Sequence, residues 1–374
     1  MKILFINLPY YGHIVPTVGL VQQLVAQGCE VTYMLPLGWE KRIDGSGADF
    51  YGYKYHKQLA EQMKNAVKAA EKIIADYDLV IYEQFFFLGK HLAEKHNKPA
   101  VRIFTAPATT KKLMAEYISN GGAMGLFRFQ WIAKGFTKDV AKGFALKTDN
   151  WLDEIVKNPP ELSLVYTLEE FQPYFEEFDK QKFKFIGPSI YSRQESDFKL
   201  PDGNKPLIYI SLGTVIKGGA KFFNSCIDGF KDENVNVIIS VGEKFNIKKL
   251  KNIPENIHIY PYLPQTKVLE KADLFITHGG MNSVSEAMVC GVPMVVIPFS
   301  ADQPVNARMV EKLGIGKTLD FPQVTAHSVK NLAFSVMGDS KIKENLNKVQ
   351  QSIEKSASNK GGAEYIIQYY NNKK

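Results

Sequence analysis

Short apolar runs bounded by glycine, proline or polar residues alternate along the chain with segments that read as helices. In the first half, these runs predict strands at Ile3 to Leu8, Glu30 to Leu35, Asp78 to Tyr82, Ala100 to Phe104 and Leu162 to Tyr166. A helix follows the first of them, with Pro16 near its start and Gly28 at its end. A second series opens at Pro206 to Ser211 and continues through Val235 to Val241, Ile257 to Tyr260, Asp273 to Thr277 and Val292 to Ile297. Strand and helix in strict alternation predict parallel sheets covered by helices, an α/β class. Gly187 to Lys205, with Pro188, Pro201 and Asp202-Gly203, separates the two series and reads as a linker.

Length agrees with that division, because 374 residues exceed what one core holds comfortably. The pattern therefore predicts two doubly wound domains, residues 1–190 and 206–374, joined by residues 191–205 and facing each other across a cleft. It breaks between Lys111 and Lys147, where glycines mix with Tyr117, Phe127, Phe129, Trp131, Phe136 and Phe144 and with scattered lysines. That stretch reads either as surface helices, as a wall for an apolar acceptor, or as a surface that touches a membrane. Lys341 to Lys374 reads as one or two polar amphipathic helices.

Composition narrows the class. An apolar fraction of 45% and a charged fraction of 23% are those of a soluble globular protein. The net charge of +7 is spread without a long basic block, and no nucleic-acid motif accompanies it. Cys29, Cys226 and Cys290 lack metal-site spacing and fit reduced residues in a cytosolic protein. The first nine residues are too short for a signal peptide and read as a strand, and no run reaches the length of a membrane span.

The chemistry concentrates at Thr277 to Glu286. A buried strand leads into His278-Gly279-Gly280 and then a helix carrying Asn282 and Ser283. Two glycines let backbone approach an anion, and the N–H groups of a first helical turn, with the helix dipole, favour its charge. Glu286 shares the helix face of Asn282 and Ser283, in reach of the sugar of a nucleotide held there.

In open parallel sheets ligands bind beyond the carboxyl ends of the strands. Five further groups occupy such positions: Tyr11-Gly12-His13, Glu83, Ser211 to Thr214, Tyr262 to Gln265, and Pro298 to Gln303. Asp76-Tyr77-Asp78 looks like a metal-binding pair but lies before its strand, on the wrong edge, and reads as structural.

Tyr262-Leu263-Pro264-Gln265, His278 to Ser283 with Glu286, Gly291-Val292-Pro293 and Asp302-Gln303 together resemble the donor-binding signature of the family 1 UDP-glycosyltransferases, nearest to the bacterial macrolide-type branch. Ser211 to Thr214 and Gly12 to Pro16 extend the resemblance to both halves. It implies the GT-B architecture of two facing Rossmann-like domains. The N-terminal domain would bind the acceptor and the C-terminal one the donor, with a last helix, about 358–374, returning to the first.

The resemblance also implies roles. Tyr262 would stack on the nucleobase, and Gln265 and Glu286 would bind ribose. His278, Asn282 and Ser283, with Thr214, would bind the donor's diphosphate, Gly12 and Gly280 would also belong to the donor-binding set, and Asp302 and Gln303 would bind hydroxyls of the transferred sugar. His13 would be the catalytic base. Its partner in the family is usually Asp, and the matching position here holds Glu83, one methylene longer. The expected reaction is a single displacement with inversion of a hexose from a UDP-sugar to a hydroxyl of a small apolar or aromatic acceptor, without metal or other cofactor. A membrane-associated lipid glycosyltransferase, a nucleotide-sugar epimerase and a non-catalytic partner protein are the alternatives.

Overall fold

The computed structural model describes residues 1–119, 133–146, 148–190, 200–201, 205–213 and 219–374. Contacts divide the chain into one unit of residues 1–191 with 356–374, and a second of residues 192–355.

The first unit is a parallel sheet of seven strands: β1 (Lys2–Ile6), β2 (Glu30–Pro36), β3 (Asp49–Tyr53), β4 (Leu79–Glu83), β5 (Ala100–Phe104), β6 (Leu162–Val165) and β7 (Phe183–Phe185), in the order β3-β2-β1-β4-β5-β6-β7. Its helices are α1 (Tyr11–Ala26), α2 (Leu59–Ile73), α3 (Gly89–Lys95), α4 (Lys111–Ser119) and α5 (Trp151–Lys157), and residues 133–140 are also helical. Alternate strand residues feed two cores, as the pleat requires. Ile3, Phe5, Ile81 and Ile103 pack with Leu20 and Val21 of α1; Leu4, Ile6, Val80, Tyr82 and Phe104 pack with Met63 and Ala66 of α2 and Leu92 of α3. Both faces are covered, so the central strands read as continuous apolar runs.

The second unit has six parallel strands: β8 (Leu207–Ser211), β9 (Asn236–Ser240), β10 (Ile257–Tyr260), β11 (Leu274–Thr277), β12 (Met294–Val296) and β13 (Gly316–Thr318), in the order β10-β9-β8-β11-β12-β13. With them go α6 (Ala220–Phe230), α7 (Gln265–Leu269), α8 (Met281–Cys290), α9 (Gln303–Lys312), α10 (Ala326–Met337) and α11 (Ser340–Lys355). The last helix, α12 (Ser358–Asn371), belongs to the first unit, where Ala363 and Ile366 join the core beside α1.

All ten expected strands form, with ends shifted by a few residues. The three that the apolar pattern did not reveal, β3, β7 and β13, are all sheet edges. An edge strand is short and half-covered, so its residues carry no apolar run: β3 reads Asp-Phe-Tyr-Gly-Tyr and β13 Gly-Lys-Thr. A second correction concerns α1. It starts at Tyr11, which puts Pro16 inside the helix instead of near its start and His13 in its first turn. Of the irregular stretch 111–147, residues 120–132 and 147 lie outside those described, with Phe127, Phe129 and Trp131 among them. Among the described residues no helix is long and apolar enough to cross a membrane.

Candidate active site

Each sheet changes direction once. Strand order runs outward from β1 to β3 on one side and from β4 to β7 on the other, so the β1–β4 junction is the topological switch point of the first unit; β8–β11 is that of the second. Connections leave such a junction in opposite directions and open a crevice at the carboxyl ends of the strands. His13 and Glu83 sit at the first of these places and His278 to Glu286 at the second, while Tyr262 to Gln265 follow the edge strand β10 and Asp302 and Gln303 follow β12.

In the first unit, His13 rises from the first turn of α1, immediately after β1, and Glu83 is the last residue of β4. The longer carboxylate reaches the imidazole: His13 Nδ1 lies 3.0 Å from Glu83 Oε1, with the histidine side chain 22% exposed and the glutamate fully buried. Glu83 is further fixed by Phe85, whose backbone N–H donates to Oε2 at 2.9 Å. A carboxylate, when ionised, accepts only; paired with one, the imidazole carries its proton on Nδ1 and its lone pair on Nε2. Thr105, just past β5, places its hydroxyl 3.0 Å from Nδ1 and donates to Glu83 Oε1 at 3.5 Å. Asn7, wholly buried, holds the turn from below by donating to the carbonyl of His13 at 2.9 Å and to the hydroxyl of Tyr33 at 3.0 Å. Phe85 and Tyr10 meet the imidazole edge-on, with ring centroids 4.9 and 5.7 Å away. Gly12 precedes His13 in the same turn.

In the second unit, the loop after β11 passes through Gly279, whose φ of +82° suits glycine and whose Cβ would lie 2.6 Å from Val296. His278 is held in a slot that glycine backbone makes possible, since a Cβ on Gly280 or Gly213 would come within 2.6 or 2.7 Å of its ring. Burial holds that imidazole down to about 4, against the opposing effect of a hydrogen bond to the Ser211 backbone, so it is neutral at pH 7. Its Nδ1 is buried with no partner among the described residues. Gly280 caps α8, placing Asn282 and Ser283 in the first turn of a ten-residue helix that Gly291 closes at φ +69°.

One turn further, Glu286 accepts from Gln265 Nε2 at 2.6 Å, and the same amide lies 3.1 Å from Ser283 Oγ. Burial pushes the Glu286 carboxyl up to about 7, although the Gln265 bond opposes this. Tyr209, buried and stacked on Phe275, donates to Gln265 Oε1 at 3.4 Å from behind. Tyr262 is 57% exposed while its neighbour Leu263 is buried and anchors the loop. After β12, Asp302 precedes α9 and its Oδ2 accepts from Asn306 at 2.9 Å. Gln303 is engaged at one end: its oxygen accepts from the backbone of Phe299 at 2.8 Å and of Ser300 at 3.2 Å. Thr214 lies outside the described residues.

Several members of these sites are absent from the sequence reading. Thr105 could have been found by applying the strand-end rule to β5 as it was applied to other strands. Asn7, Tyr209 and Asn306 carry no local signal, because their partners are distant in sequence. Asp78 belongs to structure, as expected: its carboxylate accepts from the backbone N–H of Lys2 at 2.7 Å, and chiefly that bond holds it below the usual carboxylate range.

Two doubly wound units, one with an imidazole–carboxylate pair and the other with a glycine loop at a helix N-terminus, define a GT-B glycosyltransferase. The family model described as "UDP-glucoronosyl and UDP-glucosyl transferase" matches residues 189–356. NDP-glycosyltransferase YjiC of Bacillus licheniformis is 33% identical over 96% of this chain and 94% of its own. Oleandomycin glycosyltransferase of Streptomyces antibioticus is 22% identical over 95% of this chain and 88% of its own. Among solved structures, the glycosyltransferase of kitacinnamycin superposes with a TM-score of 0.84, at 25% identity and 98% coverage of both chains. The chain belongs to the UDP-glycosyltransferase family and resembles its bacterial macrolide-type members.

Proposed function

We propose that the protein is an inverting hexosyltransferase that moves a sugar from a UDP-sugar to a hydroxyl of a small apolar or aromatic acceptor, with His13 as base and no metal. The observation that carries this reading is the His13–Glu83 pair at a sheet's switch point. Nε2 takes the acceptor's proton as its oxygen attacks C1 of the sugar; the C1–O bond to the diphosphate breaks, and the nucleoside diphosphate leaves with the electron pair. Glu83 fixes the Nδ1–H tautomer and stabilises the imidazolium that forms.

The second unit would hold the donor. Tyr262 would stack on the base, and Gln265 and Glu286 take the ribose. The first turn of α8, with Asn282 and Ser283, and with Thr214 by resemblance, stabilises the charge that grows on the leaving diphosphate, and His278, which the resemblance places on the same phosphates, shapes the loop they would occupy. A preorganised helix N-terminus can do what a divalent cation does in other transferases. Asp302 and the amide nitrogen of Gln303 would read the transferred sugar. The first unit would hold the acceptor, and the edge-on rings of Tyr10 and Phe85 beside His13 favour an apolar or aromatic one. Three cysteines without disulfides fit a cytoplasmic enzyme.

Incubation with UDP-hexoses and a panel of phenolic and macrolide acceptors, read by mass spectrometry, tests the reading. A gain of one hexose on the acceptor, with the anomeric configuration of the product opposite to that of the donor, is expected. Retention of configuration would overturn the displacement, and epimerised donor without acceptor modification would overturn transfer.

A further inference from the structure

Asn306 lies on α9, one turn after Asp302, and is wholly buried. Its amide nitrogen has two hydrogens and two acceptors: the carbonyl of Gly279 in the loop after β11, and Oδ2 of Asp302, each at 2.9 Å. Its Oδ1 is buried without a partner among the described residues. The amide cannot be turned over, because that would set its oxygen against a carbonyl and a carboxylate, so both donors are committed. A buried acceptor left unpaired is costly. The site retains that cost together with a left-handed Ala301, φ +58°, in the loop that carries Asp302. Both features accompany one geometry, in which the two Asn306 N–H bonds join the carboxylate after β12 to the glycine loop after β11.

We propose that Asn306 is a positioning residue that clamps the Asp302 carboxylate to the Gly279 loop and so sets how well the enzyme discriminates between hexose epimers in its donor. The inference rests on the reading of Asp302 as a sugar-binding group. It does not require Asn306 to touch the substrate. A carboxylate reads the orientation of a hydroxyl only if its own position is fixed against the phosphate to which the sugar is attached, and Gly279 belongs to the loop that would hold that phosphate.

The test is the ratio of kcat/KM for UDP-glucose to that for UDP-galactose, with one acceptor, in Asn306→Leu, Asn306→Asp, Asp302→Ala and the double variant Asp302→Ala/Asn306→Leu. Asn306→Asp keeps size and shape while replacing both donors by a charge that repels Asp302, so the test survives if the leucine variant does not fold. UDP affinity by calorimetry checks that each variant retains its nucleotide site. The proposal expects each single substitution to shrink the epimer ratio by roughly tenfold, the scale of one charged hydrogen bond, and the double variant to lose no more than Asp302→Ala alone. A ratio preserved in both Asn306 variants while Asp302→Ala collapses it would overturn the clamp and leave the Asp302 reading intact. Further loss of discrimination in the double variant would likewise overturn the clamp. An unchanged ratio in Asp302→Ala, or a native enzyme that does not distinguish the epimers, would overturn the Asp302 reading and the proposal with it.

Discussion

His13 Nδ1 and Glu83 Oε1 are 3.0 Å apart although seventy positions separate them in sequence. The contact exists because β1 and β4 are neighbours, with Ile6 opposite Tyr82, so the turn after one strand and the last residue of the other meet. An aspartate at position 83 would stop one methylene short of the place where the imidazole now finds its acceptor. Here the added length of glutamate is taken up by burial and by the Phe85 N–H.

Replacing His13 by alanine removes the lone pair that would take the acceptor's proton and leaves the second unit untouched. Transfer should fall by roughly 10²–10⁴-fold, the range for loss of a general base. UDP-sugar affinity by calorimetry should stay within about twofold, well under the tenfold that 1.4 kcal/mol represents. Parallel loss of donor affinity would refute the role of base.

How much of this was legible in the sequence depends on where the information lies. The central strands declared themselves because both faces are covered, and the Thr277 to Glu286 stretch declared itself because strand, glycines and helix start are contiguous. The His13–Glu83 contact was legible only as an expectation of the resemblance, since no local pattern brings two distant residues together. Thr105, Tyr209 and Asn306 act through hydrogen bonds across elements, and their sequence neighbourhoods look like ordinary strand and helix. Gln303 shows the converse: its position in the motif was clear, but not that its oxygen is spent on the Phe299 and Ser300 backbone.

Glu83→Gln keeps size and loses charge. The amide has one acceptor oxygen for two donors, the Nδ1–H of His13 and the N–H of Phe85, and no charge to stabilise the imidazolium, so turnover should fall by at least about tenfold, the scale of one hydrogen bond to a charged group. Glu83→Asp keeps charge and loses reach, and it should also fall, because Phe85 and Thr105 hold a site built for the longer side chain. Unchanged turnover in both variants would show that the pair contributes nothing to the reaction.

Metal independence follows if the first turn of α8 and its side chains carry the leaving-group charge. Full activity should persist in excess EDTA at saturating donor. Activity lost to the chelator and restored by manganese or magnesium would contradict the proposal.

The pH dependence of stability should carry two opposing slopes from the second unit. The imidazole of His278 is lowered from 6.5 to about 4, so its contribution is present above 6.5 and is lost as pH falls towards 4. The carboxyl of Glu286 is raised from 4.5 to about 7, so its contribution is present below 4.5 and is lost as pH rises towards 7. Each amounts to a few kcal/mol at most, at ~1.4 kcal/mol per unit, and between pH 4.5 and 6.5 the slopes have opposite sign and largely cancel. Glu286→Gln should therefore uncover a stability that climbs with pH across this window, and His278→Asn one that declines. Urea unfolding at half-unit intervals from pH 4 to 7.5, taken as the difference between each variant and the native protein, measures the two slopes separately. The same carboxylate should make UDP-sugar affinity rise from pH 6 to 8, because ribose hydroxyls donate better to an ionised acceptor, and Glu286→Gln should abolish that rise. Parallel stability curves for all three proteins would show that neither group titrates away from its ordinary value.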